Sequence, residues 1–197
     1  MGNIKLTIDS GAKKMYNEGN DISDFKELVT MKNPVIKITV RDFGEMTAEL
    51  YPDMAPKTVE NFLSLIEKGF FSGMIFHRVI KGFMIQGGGY DESFEHKEAD
   101  AIKGEFKANG FVQNELKHTR GVLSMARTQD PNSASSQFFI MHQDAPYLDA
   151  QYAGFGKVTE GLDVVDKIAS VQTGRMGWFD DVPKTPVVIE KMEIVEK

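Results

Sequence analysis

The 197-residue chain has no cysteine. That excludes disulfides, thiol catalysis, thiolate metal sites and a lipid-modified cysteine. It has a single tryptophan, Trp178, expected in a loop before the last strand and useful mainly as a fluorophore. No stretch approaches the ~20 apolar residues that a membrane helix requires. Lys5, Asp9, Lys13, Lys14, Glu18 and Asp21 interrupt the N-terminal 30 residues, so no secretory apolar region is expected there. Met1-Gly2 does not make a myristoylation signal, because Leu6 stands where Ser or Thr is needed. The expected location is the cytoplasm. Acidic residues outnumber basic ones, 29 Asp and Glu to 23 Lys and Arg. The formal net charge of −6 argues against general nucleic-acid or anionic-membrane binding, though it does not exclude a local basic patch. His96, His118 and His142 stand apart in sequence, and no His-x-x-x-His or acidic triplet suggests a metal. Gly87-Gly88-Gly89 is not followed by Gly-Lys-Ser/Thr, so it is not a phosphate loop.

An apolar fraction of 41% and a charged fraction of 26% are those of a globular protein. At this length the chain can be one large domain or two small ones. Residues 1–33 are expected to be an N-terminal extension of unknown role. Ile4, Leu6 and Ile8 alternate as in a short strand, Gly11, Asn17, Gly19 and Asn20 punctuate a turn, and Ser23 suits the cap of a short helix to Met31. This extension is either a partner-binding arm or a packed or frayed appendage.

From Pro34 a hairpin is predicted. Ile36, Ile38 and Val40 alternate with polar residues, as do Met46, Ala48 and Leu50, across a turn at 42–45. Residues 55–68 are predicted helical, with Pro56 in the first turn, the stripe Val59, Phe62, Leu63, Ile66 and an exit at Gly69. A second helix is predicted at 162–170, with Leu162, Val165, Ile168 and Ala169 inward. Short apolar strands are predicted at 74–79, 83–86, 122–126, 138–141, 154–158 and 187–195. Residues 87–110 are expected to form a long surface loop. Many short strands and two helices favour a closed antiparallel barrel.

The run Phe76-His77-Arg78-Val79-Ile80-Lys81-Gly82-Phe83-Met84-Ile85-Gln86-Gly87-Gly88 sets a guanidinium and an amide among large apolar groups. Leu123-Ser124-Met125-Ala126-Arg127 and Ser135-Ser136-Gln137-Phe138-Phe139-Ile140 have the same character. Such segments suggest an apolar groove with a few fixed hydrogen-bonding groups, suited to an uncharged peptide. In sequence and order, Phe-His-Arg, Gly-Phe-Met-Ile-Gln-Gly-Gly, Leu-Ser-Met-Ala, Ser-Gln-Phe-Phe-Ile and Phe-Gly-Lys-Val resemble the motifs of the cyclophilin peptidyl-prolyl cis-trans isomerases. The resemblance spans residues 34–197 and favours the bacterial branch, through Met125-Ala126-Arg127-Thr128 and the preceding Lys117-His118-Thr119-Arg120-Gly121. It implies a closed eight-stranded barrel capped by two α-helices, and an isomerase acting on Xaa-Pro bonds in proline-containing peptides and unfolded or flexible proteins.

That reaction breaks no covalent bond. The barrier of ~18–20 kcal/mol is lost amide resonance. The catalyst needs no nucleophile, metal or cofactor; it must bind the twisted amide better than either planar isomer. Removing ~7 kcal/mol accelerates the reaction about 10⁵-fold. The resemblance assigns Arg78 to hydrogen-bond the proline nitrogen as it regains its lone pair, where a lysine lacks the planar fork. It assigns Phe83, Met84, Phe139 and Leu148 to the proline pocket. Gln86 is expected to position Arg78 and the substrate carbonyl, and Gln137 to line the groove; the plainer alternative is that these amides tie neighbouring strands together. Ala126 and Arg127 are expected to offer backbone groups to an extended substrate. His77 is expected to be structural, since the reaction moves no proton.

Three positions depart from the best-known eukaryotic members of that family. Tyr147 replaces tryptophan, which implies weak cyclosporin binding; Tyr152 replaces histidine and keeps an aromatic wall; Arg127 replaces asparagine and adds positive charge at the groove. The competing function is a proline-segment binding module or holdase with incidental turnover, which could dispense with Arg78. No feature demands an oligomer, and a monomer is expected.

Overall fold

A computed structural model describes residues 32–196 with their side chains, and the backbone of residues 4–9 and 12–17. The chain divides into two units, residues 1–32 and 33–197. In the first, β1 (Ile4–Asp9) pairs antiparallel with β2 (Ala12–Asn17), from Ile4 opposite Asn17 to Asp9 opposite Ala12. The sequence pattern predicts β1 but not β2, and the helix expected from Ser23 to Met31 lies outside the described residues.

In the second unit the alternation starting at Val35 produces a hairpin. Strands β3 (Val35–Val40) and β4 (Gly44–Leu50) pair with Ile36 opposite Ala48 and Ile38 opposite Met46, and all four are fully buried. Helix α1 (Pro56–Glu67) begins at a proline and buries Thr58, Val59, Phe62, Leu65 and Ile66. Leu63, expected inward, is only partly buried; the buried stripe runs through Leu65 instead. Phe62 carries α1 into the core. Its ring lies 4.9 Å from both Phe71 and Phe155 and 5.3 Å from Phe138.

The remaining strands of the main sheet are β5 (Arg78–Ile80), β6 (Met84–Gly87), β7 (Val122–Met125), β8 (Phe138–Met141), β9 (Gly154–Glu160) and β12 (Ile189–Glu196). Helix α2 (Leu162–Ala169) packs over β4, β5 and β6. A separate hairpin, β10 (Thr173–Met176) with β11 (Phe179–Pro183), holds Trp178 in its turn. The sequence pattern predicts a loop here, because Asp180, Asp181 and Gly177 mask the strand signal.

The eight strands of the main sheet run in the order β12-β3-β4-β9-β7-β8-β6-β5. This corrects the expected closed barrel: the sheet is an open half-barrel, and its end strands β5 and β12 do not pair with each other. The expected strand 74–79 shortens to the three residues of β5. Upstream of it, Ile75 makes an isolated bridge to Val188, with Phe76 N–H donating to the Val187 carbonyl at 2.9 Å. At β5 itself the β10–β11 hairpin lies alongside, where a closing strand would stand.

The expected surface loop 87–110 is buried in part. Gly104, Glu105 and Phe106 lie inside. Helix α1 has no side-chain cap from Ala55, its N-cap residue. Glu105 supplies one from a distance. Its carboxylate accepts the Lys57 N–H at 3.0 Å, the Thr58 N–H at 2.8 Å and the Thr58 hydroxyl at 2.8 Å. Those N–H groups have no partner within the helix, and the helix N-terminus favours negative charge.

Candidate active site

The site follows from the period-2 alternation of the sheet. Along β8, Phe138 and Ile140 join the inner core, while Phe139 and Met141 join a second apolar cluster on the other face. Along β6, Ile85 points to the inner core and Met84 to the second cluster. Both faces of β7 and β8 are therefore buried, which is why they appear as unbroken apolar runs.

Register places one row of side chains across four strands. Arg78 stands opposite Gln86, Gln86 opposite Phe139, and Phe139 opposite Ser124. Opposed residues share a face. The row therefore presents a cation, an amide and a ring side by side. They line a cavity of about 250 Å³ together with Phe83, Met84, Ala126, Arg127, Leu148 and Tyr152. Leu148 comes from a short 3-10 turn, Pro146–Leu148.

Arg78 is exposed, and its guanidinium makes no hydrogen bond or ion pair among the described residues. It is not spent in a surface salt bridge. Gln86 donates from Nε2 to the Gln137 Oε1 at 3.1 Å, and the same nitrogen lies 3.5 Å from His77 Nε2. Gln137 does not line the cavity; it stands one hydrogen bond behind it. Gly89 permits this arrangement, since a Cβ there would lie 2.6 Å from the Gln137 side chain.

Tyr147, also expected in the site, is on its rim: 67% exposed, with its ring 5.9 Å from Phe83. Arg127 reaches the cavity wall, but its guanidinium is engaged. It donates to the carbonyls of Thr128 at 2.9 Å and Gln151 at 3.1 Å, and packs 4.6 Å from the Tyr152 ring and 5.2 Å from Phe106. Tyr152 in turn meets Phe139 edge-on at 5.9 Å. Arg127 thus braces the aromatic wall. The Ala126 N–H is already donated to the Gln137 carbonyl at 2.9 Å, which leaves the carbonyl of Ala126 for a ligand.

Three histidines that stand apart in sequence are brought under or beside the cavity. The His118 ring stacks under Phe139 at 6.1 Å, with Nδ1 3.2 Å from the Asp149 carboxylate and Nε2 2.9 Å from the Ser124 hydroxyl. A carboxylate only accepts, so Nδ1 carries the proton and Ser124 donates to Nε2. The Gly82 N–H donates to His142 Nδ1 at 3.0 Å, while His142 Nε2 lies 3.2 Å from Asp166, itself clasped by Arg120 at 2.7 and 2.9 Å. This ties down the turn that carries Phe83. Sequence spacing holds no signal for either network, because bonded members lie up to 60 residues apart.

His77 is the third. Burial, followed by the adjacent Arg78 charge, pushes its pKa from 6.5 down to about 4. The folded state therefore holds His77 neutral where the unfolded chain would protonate it. Its contribution to stability is complete above about pH 6.5 and is lost as the pH falls toward 4. The expected loss is ~3 kcal/mol, and a His77→Asn variant should lose correspondingly less. Urea unfolding of both proteins at pH 7 and pH 4.5 checks this, and equal losses would count against it.

The sequence profile described as cyclophilin type peptidyl-prolyl cis-trans isomerase/CLD matches residues 35–194. The chain belongs to the cyclophilin-type peptidyl-prolyl cis-trans isomerases. It is 45% identical over 162 residues to peptidyl-prolyl cis-trans isomerase B of Escherichia coli K12, covering 78% of this chain and 95% of that relative. A peptidyl-prolyl cis-trans isomerase of Acinetobacter baylyi is 47% identical over 159 residues, with 78% and 81% covered. Among solved structures, a Cryptosporidium parvum cyclophilin-type isomerase superimposes with a TM-score of 0.69 at 28% identity, covering 84% of this chain and 99% of that one. The same protein in the presence of the dipeptide Ala-Pro gives a TM-score of 0.68 at 29% identity. The enzyme class of this cyclophilin is therefore isomerase, acting at Xaa-Pro bonds. No helix among the described residues is long and apolar enough to cross a membrane.

Proposed function

We propose that this cyclophilin isomerises Xaa-Pro bonds in extended or unfolded polypeptide, with Arg78 hydrogen-bonding the proline nitrogen of the twisted amide. The observation that carries this mechanism is an unpaired guanidinium on the wall of the cavity that Phe83, Met84, Phe139 and Leu148 also line. Phe83, Met84, Phe139 and Leu148 form a floor for the pyrrolidine ring. Gln86, held by Gln137, faces the peptide carbonyl. The amide loses dipolar resonance as it twists, so an apolar floor favours the twisted form over either planar isomer. The cis-trans equilibrium is untouched; only the barrier falls.

A cytoplasmic location and a monomeric state belong to this reading. Cell fractionation and light scattering test them.

NMR exchange spectroscopy on a short Ala-Xaa-Pro-Phe peptide tests the function. Accelerated cis-trans exchange at catalytic enzyme concentration supports the isomerase. Line-broadening from binding with no faster exchange would instead make the groove a proline-segment holdase.

Cyclosporin offers a second check on the rim. Tyr147 presents a smaller ring than tryptophan beside Phe83. Tyr147→Trp is expected to tighten cyclosporin binding about tenfold through added apolar contact. Equal affinities by calorimetry would remove Tyr147 from the binding surface.

A further inference from the structure

Outside the groove, the β10–β11 hairpin carries a group of exposed apolar side chains. Trp178 is 92% exposed at its tip, and Met176 and Phe179, paired across the turn, are 45% and 38% exposed. Phe179 packs edge-on to Tyr90 at 5.3 Å and to Phe94 at 5.2 Å, and Tyr90 stacks on Phe94 at 5.0 Å. Under this ledge lies a cavity of about 130 Å³, lined by Phe94, Met176, Val182 and Pro183, with Glu92 and Lys184 also in its wall. Tryptophan, tyrosine, phenylalanine and methionine are enriched in binding surfaces.

The ledge stands beside the groove. Strand β11 lies against β5, whose first residue is Arg78. The His77 ring is 4.8 Å from Tyr90, and Tyr90 is 5.3 Å from Phe179. At ~3.3 Å per extended residue, about three to five residues of a bound chain bridge the two places.

We propose that this ledge is a second subsite for the client polypeptide, taking a bulky apolar side chain three to five residues from the proline, with Trp178 packed over it. The proposal rests on the groove around Arg78 being the isomerase site. The occupant is the substrate chain itself, because the hairpin lies against β5, the strand that carries Arg78. Glu92 is clasped by Arg41 and Asp180 lies 3.7 Å from Arg175, whereas Asp181 has no ion pair among the described residues. That free carboxylate favours a neutral or basic neighbour to the apolar residue.

Trp178→Ala tests the subsite, because a side chain this exposed contributes little to folding. Two substrates are compared: the Ala-Xaa-Pro-Phe peptide, too short to reach the ledge, and a reduced, carboxymethylated ribonuclease whose refolding is limited by proline isomerisation. Turnover of the peptide should stay within about twofold of wild type, while catalysis of refolding falls about tenfold. Since Trp178 is the single tryptophan, its emission reports the site directly. It should shift to the blue with a longer proline peptide bearing leucine four residues from the proline, and not with serine there. Equal effects of the variant on both substrates, or no effect on either, would overturn the subsite. A concentration-dependent shift without peptide would make the ledge a contact between two copies, and would overturn it as well. Failure of the wild type to turn over the short peptide would instead sink the groove reading beneath it.

Discussion

Arg78→Ala is expected to lower kcat/KM on the short proline peptide about 10²–10³-fold, a loss of ~3–4 kcal/mol of transition-state stabilisation. Peptide affinity should change by no more than about twofold. The reason is differential binding: the planar amide nitrogen offers no lone pair to the guanidinium, and the twisted one does. The structure supports such a split, because the apolar floor of Phe83, Met84, Phe139 and Leu148 is built independently of the Arg78 guanidinium. Folding should be unaffected, since that guanidinium holds no hydrogen bond or ion pair among the described residues. Arg78→Lys should fall between wild type and Arg78→Ala, keeping the charge and losing the planar fork. Exchange spectroscopy measures the rates and peptide titration the affinity. Parallel losses in turnover and affinity would mean that Arg78 binds the ground state, and the proposed mechanism would then fail.

Glu105→Ala is expected to destabilise the fold by ~3 kcal/mol. At 3% exposure its carboxylate is buried, and it accepts two α1 N–H groups and the Thr58 hydroxyl. Truncation strands the Thr58 N–H and hydroxyl inside the protein and leaves the part-buried Lys57 N–H without its acceptor. For a domain of this size the melting temperature should fall by roughly 10 °C. Glu105→Gln, which keeps the shape and loses the charge, should cost about half as much. The effect should also reach the site. Glu105 anchors the segment whose next residue, Phe106, packs on Arg127, and Arg127 braces Tyr152. Thermal unfolding followed by circular dichroism checks the prediction, and a variant melting within about 2 °C of wild type would reject the cap.

Most of the groove is legible in the amino-acid sequence. Its residues fall in short ordered motifs around Arg78, Gln86 and Phe139, and the register of β5, β6 and β8 brings these three into one row. Gln137 and Tyr147 show the limit of such reading. A motif says that a residue is near the site, but not whether it lines the cavity, holds a lining residue, or stands on the rim. Arg127 shows it again: as a bare letter it adds charge to the groove, yet in the fold its two terminal nitrogens donate to backbone carbonyls and its face packs on two rings.

The local pattern of this protein determined what short-range physics can determine. Alternation at 35–50 made the β3–β4 hairpin, and an apolar stripe behind Pro56 made α1, because neighbours three or four apart share a helix face and alternate residues share a strand face. Tertiary structure decided what depends on residues far apart in the chain. It set Glu105 on the end of α1, His118 between Asp149 and Ser124, and the β10–β11 hairpin beside β5 in place of a closing strand. Each is a polar or edge group finding a distant partner that leaves no periodic trace in sequence. The half-barrel stays open beside Arg78, where the β10–β11 hairpin lies against β5 without pairing to it.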